Sequence, residues 1–138
     1  MKTKFITLTL ILFSILSFAQ SQPKQNNTHQ QNQINENAIY QLFPTKNFWT
    51  FIKLDTRNGK LWQVQFSVGD EKNTVELALN LLPIVSKEKE SIGRFTLYPT
   101  ENTYNFLLLD QIDGTVIQVQ WSMEPKNRGI VTFIKPVD

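Results

Sequence analysis

The chain has no cysteine among its 138 residues, one histidine and only five glycines. Without thiols there is no disulfide framework, no thiolate nucleophile and no Cys-ligated zinc site. From Ala38 onward there is no histidine either, which excludes Ser-His-Asp and Cys-His arrangements and histidine acid–base pairs from that stretch. The glycines are scattered singly, so there is no glycine-rich phosphate loop. No cofactor and no metal is expected. A surplus of positive charge is lacking as well: 14 Lys and Arg face 12 Asp and Glu, and setting Lys2 and Lys4 aside leaves 12 against 12. Displacing counterions from nucleic acid needs such a surplus, as does attraction to an anionic membrane surface, so neither partner is expected.

Long apolar runs are also missing. The longest, Phe5 to Phe18, is shorter than the roughly 20 residues of a spanning helix. It follows Lys2 and Lys4 and ends among the small residues Ser17 and Ala19, the pattern of a secretory signal. Residues 1–19 are therefore read as a signal peptide cleaved after Ala19, with export to the periplasm or the medium. No transmembrane segment is expected after cleavage, and no cysteine is present to carry a lipid anchor. Residues 20–37 are rich in Gln and Asn, with Ile34 the only aliphatic side chain. Such a stretch buries too little apolar surface to offset its ordering entropy, and it reads as a disordered tether. His29 lies in it without the companion ligands that a metal site needs.

What is present is a repeat. Residues 40–67 align without a gap on residues 95–122, an offset of 55. Twelve of the 28 positions are identical, among them Pro44/Pro99, Thr45/Thr100, Asn47/Asn102, Phe51/Phe106, Asp55/Asp110, Gly59/Gly114 and Val64/Val119. Others exchange aromatic for aromatic: Tyr40/Phe95, Phe43/Tyr98, Trp49/Tyr104 and Phe66/Trp121. Self-similarity at a fixed period marks a duplicated structural unit. The β domain is thus read as residues 38–138, with one repeat over 38–80, a linker over 81–92 and a second repeat over 93–138.

Each repeat reads as four short strands. In the first they fall near 39–43, 48–54, 61–67 and 74–79, and in the second near 95–98, 103–109, 116–122 and 130–134. Pro83 and the charge run Lys87 to Glu90 argue against a long helix in the linker. The central turns, Asp55 to Gly59 and Asp110 to Gly114, place a carboxylate where it accepts turn amides and a glycine where a bulged hairpin needs the left-handed conformation. If Asp55 faces Lys60, then Phe51 opposes Val64 and Lys53 opposes Trp62; in the second copy Phe106 opposes Val119 and Leu108 opposes Ile117. Alternation along a strand puts each set on one face. That face is expected to be the core in both copies, with all three tryptophans (Trp49, Trp62 and Trp121) turned inward. The expected fold is all-β: an eight-stranded antiparallel sandwich or barrel of two tandem four-stranded meanders, related by an approximate internal two-fold.

The opposite strand face carries Thr50, Gln63, Gln65 and Ser67, and Asn105, Gln118, Gln120 and Ser122 in the second copy. It reads either as a hydrogen-bonding platform for a sugar or peptide, or as a solvated sheet face with amide ladders. Asp55 and Asp110 would supply the two carboxylates of a glycoside hydrolase, but their identical turn positions already account for both. No catalytic residue is expected.

The stretches Leu54 to Trp62 and Gln118 to Ser122 resemble small exported and mobile-element-associated bacterial proteins with paired β-hairpin repeats. That resemblance implies an architecture and no activity. The Asp-x-x-x-Gly-Lys turn at Asp55 to Lys60 is also similar to the hairpin of quinoprotein propeller repeats, but two units do not close a propeller, so the cofactor does not carry over. These features point to an exported, non-enzymatic binding protein whose partner is a protein or a cell-envelope glycan. Two alternatives stand beside it: a carbohydrate-binding module or carboxylate-only glycan hydrolase, and a structural subunit assembling through edge strands.

Overall fold

Two local devices, each used twice, organise the chain. Thr45 Oγ donates to the carbonyl of Thr50, and Asn47 Oδ1 accepts the Trp49 amide; Thr100 and Asn102 repeat both bonds on Asn105 and Tyr104. At the other end of the hairpin the Gly59 amide donates to the Asp55 carbonyl, and Gly114 does the same to Asp110. Both glycines have positive φ, 76° and 72°, where a β-carbon would be strained. Four of the twelve identities between the repeats, at Thr45, Asn47, Asp55 and Gly59, build these turns, each with one local task.

The computed structural model describes residue 35, residues 37–69 and residues 71–137. The expected signal peptide and nearly all of the tether, His29 included, lie outside the described residues. Of the tether, Asn35 and Asn37 form a hydrogen-bonded turn leading into the first strand, and Asn35 also accepts from Gln41. Eight strands follow: β1 (Tyr40–Pro44), β2 (Thr50–Asp55), β3 (Leu61–Gln65), β4 (Val75–Asn80), β5 (Phe95–Pro99), β6 (Asn105–Asp110), β7 (Val116–Gln120) and β8 (Gly129–Ile134). They form two separate antiparallel meanders, sheet 1 in the order β1-β2-β3-β4 and sheet 2 in the order β5-β6-β7-β8. Among the described residues the only helical elements are three single 3-10 turns.

The expected register is the observed one. Phe51 pairs with Val64 and Lys53 with Trp62; Phe106 pairs with Val119 and Leu108 with Ile117. We call the side carrying Phe51 in sheet 1 and Phe106 in sheet 2 the front, and the opposite side the reverse. The front of sheet 2 is core as expected, with Phe106, Leu108, Ile117, Val119 and Trp121 all buried. Sheet 1 departs from the expectation. Its buried side is the reverse, where Thr50, Ile52, Leu54, Leu61 and Gln63 are enclosed, while Phe51, Lys53, Trp62 and Val64 are only half-buried on the other side. The reverse of sheet 1 therefore lies on the front of sheet 2. The repeats stack in the same sense, like successive leaves, and are not related by a face-to-face two-fold.

Lys53 supplies the physical reason. It occupies the front position that Leu108 holds in sheet 2, and enclosing its ammonium would cost several kcal/mol. The reverse of sheet 1 offers Ile52, Leu54 and Leu61 with no charge among them. Gln63, enclosed on that side, presents Oε1 to the Ser122 amide of sheet 2 at 3.2 Å. Strand β4 also runs close to β8: a β-carbon on Gly129 would lie 3.0 Å from the Leu79 carbonyl.

Thr56 joins the pieces. Fully enclosed, it donates to the Ala38 carbonyl, accepts the Gly93 amide, and offers its own carbonyl to the Phe95 amide. The start of each repeat is thereby fastened to the first hairpin turn. Ile84 and Val85 of the linker pack against the core beside it.

Candidate functional site

Because sheet 1 turns its reverse inward, its front is left open, and this open face is the most distinctive surface of the described residues. Strand alternation brings Tyr40 and Leu42 of β1, Phe51 and Lys53 of β2, and Trp62 and Val64 of β3 onto it. Trp49 and Phe66 extend the row beyond the ladder, where the Phe66 amide donates to the Trp49 carbonyl. The rings form two contacting groups. Phe48 meets Trp49 edge-on at 4.8 Å between centroids, Trp49 meets Phe66 at 5.3 Å, and Phe66 meets Phe51 at 6.0 Å. Further along, Tyr40 meets Trp62 at 6.3 Å. Tyr40 and Leu42 are each 53% exposed and Phe48 is 77% exposed.

One cation sits within the row. Lys53 Nζ lies 4.5 Å from the centre of the Trp62 ring and 5.7 Å from that of Tyr40. The same ammonium donates to both carboxylate oxygens of Glu76 at 2.6 and 2.7 Å. It is thus held over the indole by the ring's quadrupole on one side and an ion pair on the other. The expectation that all three tryptophans face inward holds for Trp121 alone, which is buried and donates its indole N–H to the Thr103 carbonyl. Trp49 and Trp62 belong to the open face.

The eight polar residues read as a strand platform are divided by the same reversal. Thr50 and Gln63 are enclosed between the sheets and have no access to solvent. Gln65 and Ser67 lie half-buried at the margin, where Gln65 Nε2 approaches Met123 Sδ. In sheet 2, Asn105, Gln118 and Gln120 lie half-buried on the outward-facing reverse. Gln118 donates to Asn105 Oδ1 at 2.8 Å and Gln120 donates to the Asn127 carbonyl. Ser122, also half-buried, has its amide on Gln63. These eight do not form one surface.

The two repeated aspartates sit in the turns as expected. Asp55 Oδ1 accepts the Arg57 amide and Nε, and Oδ2 accepts Arg57 Nη2 at 2.8 Å. Asp110 Oδ1 accepts the amides of Ile112 and Asp113, and Oδ2 accepts Nε and Nη2 of the buried Arg94. Burial pushes both carboxyls up, but the guanidinium bonds and turn amides outweigh it and hold both below the ordinary 3.8. Such groups stay ionised and spend their acceptor positions inside the fold. Among the described residues no three His, Cys, Asp or Glu side chains are grouped to hold a metal.

The sequence carries a sign of the open face beyond strand alternation. Apolar residues occupy both parities of the central strands, as in the run Phe106 to Leu109 and the pair Phe51-Ile52. Near-continuous apolar runs belong to sheets with something packed on both sides. No protein-family model, curated protein or solved structure matches the chain.

Proposed function

We propose that the chain is an exported, non-enzymatic binding protein that seats a protein partner on the front of sheet 1. The carrying observation is the row of partly exposed rings on one face, in two contacting groups, Phe48 to Phe51 and Tyr40 with Trp62. Contiguous apolar patches of this kind mark interaction sites, and tryptophan and tyrosine dominate the energetics of protein interfaces. Export rests on the basic start, the apolar run and the small residues before Gln20. A protein fits this face better than a glycan. Sugar stacking needs open ring faces, whereas Lys53 covers one face of Trp62, and Phe48, Trp49 and Phe66 meet edge to face.

Immobilised purified protein should retain a partner from a cell-envelope extract. Phe51→Glu and Trp49→Ala should each release that partner without lowering the thermal unfolding midpoint by more than a few degrees. Retention that is unchanged by both substitutions would overturn the reading.

A further inference from the structure

The stacking of the repeats leaves two faces open, and each has its complement inside the same molecule. Within one chain the reverse of sheet 1 covers the front of sheet 2. The open faces are the front of sheet 1 and the reverse of sheet 2, the same two kinds of surface.

The sequence correspondence runs through both. On the reverse, buried Thr50, Ile52, Leu54, Leu61 and Gln63 have Asn105, Leu107, Leu109, Val116 and Gln118 as their counterparts 55 residues on. The outward-facing sheet thus keeps the apolar and amide pattern of an enclosed one. On the front, buried Leu97, Phe106, Val119 and Trp121 answer to Leu42, Phe51, Val64 and Phe66. A face built only for solvent has no use for these residues.

Charge agrees as well. Lys46 of sheet 1 reaches Glu101 of sheet 2, its own counterpart in the repeat, bonding both the Glu101 carbonyl and carboxylate. Because the sign at this position alternates between repeats, a further sheet 1 placed beneath sheet 2 again sets a lysine against Glu101.

We infer that the front of sheet 1 receives the reverse of sheet 2 from a second copy of this chain, in the stacking that already joins the two sheets of one molecule. This rests on the reading of the sheet 1 front as a protein-binding face and names its occupant. The contact is head-to-tail, so it closes into a ring or runs on as a filament. Four-stranded meanders stacked front to reverse are the arrangement of propeller blades, which close at about four to eight, or about two to four copies of a two-bladed chain. Lys53 takes the place of Leu108 in this junction, and no linker holds the partners at high effective concentration. Association between chains is therefore weaker than the internal contact and depends on concentration.

The test is sedimentation velocity on the purified protein over a wide concentration range, with one substitution on each face. The wild type should move from monomer to species of two or more copies as concentration rises. Phe51→Glu on the front and Leu107→Glu on the reverse should each hold the protein monomeric. An equimolar mixture of the two should form a dimer and nothing larger, because only one intact front and one intact reverse remain. Val64→Lys and Gln118→Lys, at half-buried positions on the same two faces, should repeat this pattern if either first variant unfolds. A wild type that stays monomeric throughout overturns the inference, as does assembly that Phe51→Glu abolishes and Leu107→Glu leaves intact. In both of those cases, loss of an extract partner by Phe51→Glu still upholds the binding face, so the two readings fail separately.

Discussion

Sheet 1 and sheet 2 share the register of their first three strands, two turn designs and twelve identical residues in their aligned stretch, yet they bury opposite faces. Phe106 is core and Phe51, its counterpart, is not; Ile52 is core and Leu107 is not. The difference lies in position within the stack, since each sheet has apolar side chains on both sides and, among the described residues, one neighbouring sheet. A second contrast runs through the turns. Asp55 takes its guanidinium from Arg57, two residues along the same turn, with the arginine side chain 30% exposed. Asp110 takes its guanidinium from Arg94 in the approach to β5, where both partners are buried.

The largest effects should follow the inverted burial. Phe106→Ala removes an enclosed ring and should cost about 3–5 kcal/mol, and Ile52→Ala about 2–5 kcal/mol. Phe51→Ala and Leu107→Ala, on the outward sides, should cost about 1 kcal/mol each in dilute protein, because less apolar surface returns to water. Urea denaturation of the four variants measures this. A cost for Phe51→Ala equal to that for Phe106→Ala would mean that both fronts are core and would abolish the contrast.

Next comes the pair of ion pairs. Arg94→Ala strands Asp110 in the interior and should cost about 3–5 kcal/mol. Arg57→Ala should cost about 1–2 kcal/mol, since water reaches the oxygen that the departing guanidinium leaves. The pH dependence has a definite sign. Asp110 is held below the ordinary carboxyl value of 3.8 in the folded protein. Its contribution is therefore complete above that value and is lost as pH falls through the folded pKa. Acid titration of wild type and Arg94→Ala by circular dichroism should show the steeper loss of stability below pH 3.8 in the wild type. Parallel curves would assign the acid sensitivity to other groups.

These contrasts also mark what could be read from the chain alone. The central turns were legible because Asp55 and Gly59 act within the turn itself and Asp110 and Gly114 repeat the same local solution, whereas the Thr45 and Asn47 turn showed only as paired identities. Register followed from the turns. Which face becomes core was not legible by alternation, because Ile52, Leu54 and Leu61 share one face while Phe51, Trp62 and Val64 share the other. Lys53 and its partner Glu76, both on the front, separate the two, and their effect appears once a second sheet competes for the face. The Arg94–Asp110 pair was hidden for a different reason. The counterpart of Arg94 is Ile39, so the repeat gave no hint that the turn carboxylate draws its cation from there.

A smaller effect distinguishes the two turn glycines. Gly59 and Gly114 have nearly the same φ, so alanine at either should cost about 1–2 kcal/mol from backbone strain. Their surroundings differ. A β-carbon on Gly59 would come within 2.6 Å of Ile84 Cγ1, whereas one on Gly114 meets nothing within 4 Å. Gly59→Ala should therefore cost at least about 1 kcal/mol more than Gly114→Ala, as Ile84 is forced off its packing against the core. Equal costs in thermal unfolding would show that the linker yields freely and does not brace the first hairpin.

The smallest effect tests the layer between the sheets. In sheet 2 the outward Gln118 amide donates to Asn105, but in sheet 1 the equivalent pair is Gln63 and Thr50, and the shorter threonine does not complete the bond. Thr50 Oγ1 and Gln63 Nε2 are enclosed there without partners among the described residues. A buried hydroxyl without a partner carries a desolvation cost that an isosteric methyl does not. Thr50→Val should accordingly be neutral or stabilise the protein by up to about 1 kcal/mol, against the usual direction of core substitutions. A clear loss of stability would mean that the hydroxyl serves Gln63 in solution. The amide ladder would then span both sheets, and the enclosed and open reverse faces would be more alike than their burial indicates.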